Sequence, residues 1–214
     1  MANTPIDKSQ VPQATVPRLA RYLRVLHRLQ REGVDKVSSK ELAERLDANA
    51  AQIRKDFSYF GEFGVRGVGY EVDYLIQNLS LCLGLSEQWN VIIIGAGKLG
   101  AALARYRGFR EEGYELVGIF DVSREVVGQD LDGQVVRHER ELASFLRENE
   151  VHIAIVTVPA EAAQSAADKV VAGGIRGIVN FAPTRLSTPP GVYVRQVDLS
   201  TELMVVSFYL SKKC

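Results

Sequence analysis

Residues 91–100 read Val91-Ile92-Ile93-Ile94-Gly95-Ala96-Gly97-Lys98-Leu99-Gly100. Four apolar residues in a row, without alternation, are what a strand buried on both faces of a parallel sheet requires. The glycines behind them have the G-x-G-x-x-G spacing, and residues 99–112 read as a helix. In that setting each glycine has its own task. Gly95 makes the tight turn out of the strand, Gly97 lets backbone approach a pyrophosphate, and Gly100 lets the helix pack on the strand. The helix start offers free N–H groups to phosphate. The spacing alone is a weak signal. Asp121, however, ends the next apolar run 21 residues after Gly100, near the roughly 20 expected of an acid that accepts from ribose hydroxyls. Such a carboxylate repels a 2′-phosphate, and Val122-Ser123 after it supplies no cation, so NAD(H) is expected over NADP(H).

Similar apolar runs follow at 116–120, 152–158 and 177–181, with helical stretches at 139–149 and 160–172 and a further strand at 192–197. Strand and helix in alternation predict a doubly wound α/β sheet over residues 86–198. Ligands of such sheets sit beyond strand C-termini, so Thr157-Val158-Pro159 and Asn180-Phe181-Ala182-Pro183 are placed to line the nicotinamide side. The tail from 199 to 214 holds Leu203, Met204, Val206 and Leu210, and residues 200–212 read as an apolar-faced helix in need of a partner.

The first half has a different period. Residues 1–16 contain Pro5 and Pro12 with few large apolar groups, and are expected to form a loose arm. Pro17 suits the first turn of a helix, along which Leu19, Tyr22, Leu23, Leu26 and Leu29 make one apolar face. Ser38-Ser39-Lys40-Glu41 is a capping box opening a short helix, and Asn49 caps a third over 50–60. Helix, short helix, turn, helix is the order of a helix-turn-helix. Residues 62–70 carry three glycines among Phe63, Val65, Val68 and Tyr70 and read as a small β-hairpin, a wing. A fourth amphipathic helix built on Val72, Leu75, Ile76, Leu79 and Leu83 completes a domain over 17–85.

On the third helix Ile53, Phe57 and Phe60 share an inward face, while Gln52, Lys55, Asp56 and Tyr59 are expected to face elsewhere. Gln52, Arg54 and Lys55 are candidates for base edges in a major groove. Arg66, beside Gly67 at the wing tip, suits a narrow minor groove, and Arg18, Ser58 and Tyr59 suit phosphates. Net charge is zero, with 26 basic and 26 acidic residues, but between 18 and 70 eleven basic residues oppose seven acidic ones. The surplus of +4 therefore sits in the half predicted to read DNA.

Several classes are set aside. No apolar run approaches the ~18 residues of a membrane span, and residues 1–17 lack the apolar core of a secretory signal. Cys82 and Cys214 are the sole cysteines, too few for a disulfide framework, and no metal-ligand spacing appears. A cytoplasmic protein without metal is expected. A dehydrogenase needs an acid or base beside the reacting carbon. His27, His138 and His152 are all read as standing away from strand C-termini, and no residues remain for a substrate domain. The alternatives are an NAD-dependent oxidoreductase with an accessory helical domain, or a repressor answering another nucleotide such as coenzyme A, against which Asp121 argues.

Together these segments resemble the bacterial Rex family of redox-sensing transcriptional repressors. The carrying residues are Ile53-Arg54-Lys55-Asp56-Phe57-Ser58-Tyr59-Phe60-Gly61, Val65-Arg66-Gly67-Val68-Gly69-Tyr70, Gly95 to Gly100, Phe120-Asp121, Val158-Pro159, Asn180-Phe181-Ala182-Pro183 and Val197-Asp198. The resemblance implies a homodimer in which the C-terminal helix crosses to the partner. It implies a palindromic operator held when NADH is low and released when NADH binds. It places Lys55 and Arg66 among DNA-reading residues and Arg18 as a supporting phosphate contact. Tyr106, on the helix after the glycine motif, falls in a ligand-dependent network with Asp198, which reaches across the dimer toward Lys98.

Overall fold

A computed structural model of the protein describes residues 10–61 and 69–211. The chain divides between Glu87 and Gln88 into two units, each with its own core.

The first unit contains α1 (Thr15–Arg31), β1 (Lys36–Val37), α2 (Ser39–Leu46), α3 (Ala50–Ser58), β2 (Tyr70–Glu71) and α4 (Val72–Cys82). Helix α1 starts two residues ahead of Pro17, so Thr15, expected in a loose arm, is fully buried. Leu19, Tyr22, Leu23, Leu26 and Leu29 line its inner face and pack with Leu42, Ile53, Val72, Leu75 and Leu79. The Ser38 hydroxyl accepts from the Glu41 N–H while the Glu41 carboxylate accepts from the Ser38 N–H, the reciprocal pair expected at the start of α2. Asp47 closes α2 with φ of 49°, and the Asn49 side chain accepts from the Ala51 N–H to open α3. The α2–α3 pair thus turns within three residues. Tyr70 pairs antiparallel with Val37, from ahead of α2. The predicted hairpin over 62–70, with Arg66 and Gly67 at its tip, otherwise lies outside the described residues.

The second unit is an α/β sheet in the order β5-β6-β4-β3-β7-β8-β9. Its strands are β3 (Trp89–Ile94), β4 (Tyr114–Asp121), β5 (Asp130–Leu131), β6 (Gln134–His138), β7 (Ile153–Val156), β8 (Gly177–Asn180) and β9 (Tyr193–Gln196). All neighbours from β6 to β9 are parallel, and β5 alone is antiparallel. Alternate residues of the apolar runs go to opposite faces. Ile92, Ile94, Phe120, Ala154 and Val156 meet α7 (Leu142–Glu148) and α8 (Ala160–Ala172). Val91, Ile93, Ile119 and Ile155 pack with Ala96 and Ala104 on the other side. Order reverses between β3 and β7, so the turns after Ile94 and Val156 lie side by side, the switch point at which such sheets bind ligands.

Three readings of the sequence are corrected. The helix expected over 99–112 is two pieces, α5 (Lys98–Ala104) and α6 (Gly108–Glu111). Tyr106 sits in the break between them, exposed, with its ring edge-on to Phe109 at 5.1 Å. A Cβ at Gly108 would lie 2.6 Å from that ring, so the bend and the tyrosine are matched. The β5–β6 hairpin was not anticipated, and it makes His138 the last residue of a strand, in register with Asp121. Its ring Nδ1 accepts from the Arg140 N–H, capping the 3₁₀ turn Glu139–Glu141. Third, α9 (Leu199–Leu210) is not apolar on one face. Leu199, Leu203, Met204, Val205, Val206, Phe208, Tyr209 and Leu210 are all exposed, on every side of the helix.

Phe120 is fully buried and meets Phe145 edge-on at 5.3 Å. Phe120→Ala is expected to lower stability by about 3–5 kcal/mol, measured as a fall in the denaturant midpoint.

Candidate functional site

Two places concentrate chemistry, one in each unit. The first is the outer side of α3. Arg54, Lys55 and Ser58 are exposed and Tyr59 is half-buried. The Arg54 guanidinium donates to the Ser39 hydroxyl at 3.0 Å, across the helix-turn-helix, and Ser58 donates to the Lys55 carbonyl at 2.8 Å.

Asp56 does not face outward as expected. It is fully buried, and its carboxylate is the meeting point of α1 and α3. Arg18 grips it with two prongs, Nε to Oδ2 at 2.6 Å and Nη2 to Oδ1 at 2.7 Å. Tyr22 donates to Oδ2 at 2.7 Å, Gln52 to Oδ1 at 2.8 Å and Thr15 to Oδ1 at 3.3 Å. The reason lies in the spacing: Ile53, Asp56, Phe57 and Phe60 fall on one helical stripe, so the inward face of α3 contains an acid. Burial alone would raise the Asp56 carboxyl. The donors from Arg18, Tyr22 and Gln52 outweigh it and hold the group below the usual carboxylate range. Burial, reinforced by the bond to Asp56, pushes the Tyr22 phenol up to about 12. Arg18 and Gln52, expected to meet phosphate and base, are thus both tied to this acid.

The second place is the turn after β3. Gly95 has φ of 100°, and a Cβ there would lie 2.9 Å from the Thr157 carbonyl group. At Gly100 a Cβ would meet the Gly95 carbonyl oxygen at 1.9 Å. Two glycines are therefore demanded by the packing of β3, α5 and β7. Gly97 differs: it is exposed and a Cβ there would meet nothing within 4 Å, so its bare backbone faces open space at the start of α5. Lys98 and Leu99 follow it, both exposed. Asp121 turns toward this loop, accepting from the Ala96 N–H at 2.6 Å and the Ser123 N–H at 2.7 Å. Each oxygen keeps a lone pair for a further donor. Val122 beside it is exposed.

The neighbouring loops are more committed than the sequence suggested. Thr157 donates its hydroxyl to the Gly95 carbonyl at 2.7 Å, pinning the glycine turn. Val158 is half-buried against the core and Pro159 caps α8. Asn180 is fully buried: it donates to the Thr184 carbonyl and to Gln196, and accepts from the Ala182 N–H. Ala182 is itself core, and Phe181 packs on the opposite face of the sheet. Asp198 caps α9, accepting from the Ser200 N–H, from the Ser200 hydroxyl and from the Thr201 hydroxyl, which hold its carboxyl below the usual range. The polar spacing of β6 hid that His138 ends a strand, contrary to the expectation that it stands away from strand C-termini, and no sequence signal marks Gln196. Among the described residues no group of three metal-ligating side chains occurs.

A helix-turn-helix unit joined to a doubly wound sheet with a glycine turn at its switch point defines a two-unit protein of nucleic-acid-binding and dinucleotide-binding type. Comparison with known proteins refines this. The family model "CoA binding domain" matches residues 86–184, and "Putative DNA-binding protein N-terminus" matches 10–58. The redox-sensing transcriptional repressor Rex of Streptomyces coelicolor is 45% identical over 213 residues, 99% of this chain and 83% of that protein. The crystal structure of RSP in complex with β-NAD⁺ and operator DNA is similar with TM-score 0.90 and 40% identity, covering 95% of this chain and 94% of that one. RSP in complex with β-NADH is similar with TM-score 0.87 and 39% identity over 95% of each chain. The chain belongs to the Rex family of redox-sensing transcriptional repressors.

Two outcomes are expected of this geometry. Gly100→Ala forces α5 away from the glycine turn and lowers the melting temperature, read by circular dichroism. Because the folded Asp56 carboxyl is held below its unfolded value, near 3.9, its stabilising contribution is complete above that range and is lost as pH falls through the depressed value. Acid unfolding of the first unit is therefore expected to be less steep in Asp56→Asn, measured by titration of the helical signal.

Proposed function

We propose that this chain is a DNA-binding repressor that releases a palindromic operator when NADH binds, acting as a cytoplasmic regulator and not as an enzyme. The observation that carries the proposal is the presence, in one chain, of an outward Lys55 on the second helix of a helix-turn-helix and an open Gly97 turn beside Asp121. RSP, a relative of similar fold, is known with both NAD⁺ and NADH and with operator DNA.

The residues fit the dinucleotide. Gly95, Ala96, Gly97, Lys98, Leu99 and Gly100 form the pyrophosphate turn, where the first N–H groups of α5 have no intrahelical acceptor. Asp121 takes the ribose hydroxyls, with Val122 alongside. Thr157, Val158, Pro159, Asn180, Phe181 and Ala182 build the nicotinamide side. The dinucleotide supplies a ring that is cationic when oxidised and neutral when reduced. Those two loops contain no charged residue, and desolvating a cation there is costly, so the reduced form is preferred.

Helix α9 supplies the assembly. A helix apolar all round needs burial, and a second copy provides it by exchange of this segment. Tyr106, Lys98 and the Asp198 of the crossing helix then belong to the network that reports occupancy. Two copies of α3 reach successive major grooves of B-DNA only about 34 Å apart or at multiples of that distance, with Arg54, Lys55, Ser58, Tyr59 and the wing residues Arg66 and Gly67 in contact. A change in the arrangement of the copies breaks that match. Moving the population from ~99:1 to ~1:99 takes about 5.5 kcal/mol of preference.

The test is a mobility shift with a duplex selected from random DNA by the wild-type protein, at fixed salt, with NADH or NAD⁺ added. NADH is expected to release the duplex and NAD⁺ to leave it bound. Equal release by both overturns the charge-based preference. Lys55→Ala is expected to lose the duplex and keep NADH binding, and Asp121→Ala the converse.

A further inference from the structure

We propose that Asp56 is a positioning residue for operator binding: its buried carboxylate fixes the Arg18 guanidinium so that the remaining edge meets a DNA phosphate. The inference rests on the repressor reading and goes beyond it, since it assigns a role to a residue that cannot itself touch DNA.

A guanidinium has five N–H groups in one plane. In Arg18, Nε and Nη2 donate to the two oxygens of Asp56, and Nη2 also donates to Thr15 at 3.1 Å. Among the described residues Nη1 has no partner, and the side chain is 30% exposed. The fork leaves the plane of the guanidinium no freedom, because both prongs end on an acid that is itself immobile. That acid is fully buried and held by three further donors, Tyr22, Gln52 and Thr15. The two Nη1 donors therefore keep a fixed direction before any ligand arrives.

Position adds the second argument. Asp56 is the residue after Lys55, and Gln52 lies one turn before it, so Arg18 is docked against the recognition helix itself. In a helix-turn-helix the recognition helix lies in the major groove, between the two phosphate backbones. A cation whose free Nη1 donors are held in place against α3 is suited to a phosphate, whose oxygens accept charge-assisted N–H bonds. A lysine has the charge without the fork. Fixing the donor in advance removes the ordering penalty at the moment of binding.

The experiment is a salt titration of affinity for the same selected duplex, read by fluorescence anisotropy on the full chain. Loss of one phosphate contact reduces the slope of log affinity against log salt by about 0.9. Asp56→Asn and Arg18→Met are each expected to weaken binding about ten- to a hundredfold and to reduce the slope by that amount. The double variant is expected to lose no further slope. Tyr22→Phe removes a donor to the same carboxylate but leaves the fork, and its slope is expected to equal that of the wild type. If all of these variants keep the wild-type slope, the positioning role is wrong although the repressor reading stands. If Tyr22→Phe loses slope as Asp56→Asn does, the cluster acts only by holding the helices together, and the proposal is again overturned. Should Asp56→Asn fail to fold, Arg18→Lys decides by affinity: lysine keeps the charge without the fork, so binding about tenfold weaker at the wild-type slope supports the role and wild-type affinity refutes it. A wild-type protein that selects no duplex overturns the repressor reading instead.

Discussion

Three chain segments meet at the end of β3 with no room for a side chain between them. The Gly95 carbonyl oxygen lies where a Gly100 methyl would be, and the Thr157 backbone lies where a Gly95 methyl would be. This crowding fixes the exit of the central strand, the start of α5 and the end of β7 relative to one another, and the Thr157 hydroxyl closes the arrangement on the Gly95 carbonyl. The fully buried residues of β3 follow from it, because a strand between β4 and β7 with helices on both faces meets no water. The one unneeded glycine is Gly97, where nothing inside the chain forbids a side chain. Two glycines answer to packing, and at the third the backbone is left bare to the outside.

The first unit has an equivalent constraint of electrostatic kind. A carboxylate sealed between α1 and α3 is unfavourable unless its lone pairs are filled, and five donor contacts fill those of Asp56. The same contacts order Arg18, Tyr22 and Gln52, so that the surface near Lys55 is defined from beneath. Both units thus prepare their surfaces in advance, one by excluding atoms and the other by pairing charge.

Much of this was legible in the amino-acid order. Uninterrupted apolar runs marked the buried strands because burial on both faces removes alternation. The Ser38 and Asn49 caps announced α2 and α3, and the glycine spacing with Asp121 located the switch point. What escaped notice did so for physical reasons. β6 alternates Gln134, Val135, Val136, Arg137 and His138 with only Val136 buried, too weak a pattern to separate from a loop, although Asp132-Gly133 is the turn signal of a tight hairpin. Asp56 was assigned by its charge rather than by its place on the stripe of Ile53, Phe57 and Phe60. Arg18, three residues after Thr15 and four before Tyr22, borders the matching stripe of α1. Read as a pair, the two positions predict each other. The break at Tyr106 rests on a ring packed against Gly108, a tertiary fit that helical propensity does not express.

The two margins of the large sheet have a consequence for the behaviour of the protein at high concentration. A margin with free N–H and C=O groups invites another chain to add a strand. On one side the sheet ends in β5, only two residues long and turned antiparallel. On the other it ends in β9, where Pro189-Pro190 precedes Tyr193, Val194, Arg195 and Gln196, a short strand with an outward cation. Two short strands, one turned antiparallel and one with an outward cation, are poor templates for runaway growth from molecule to molecule.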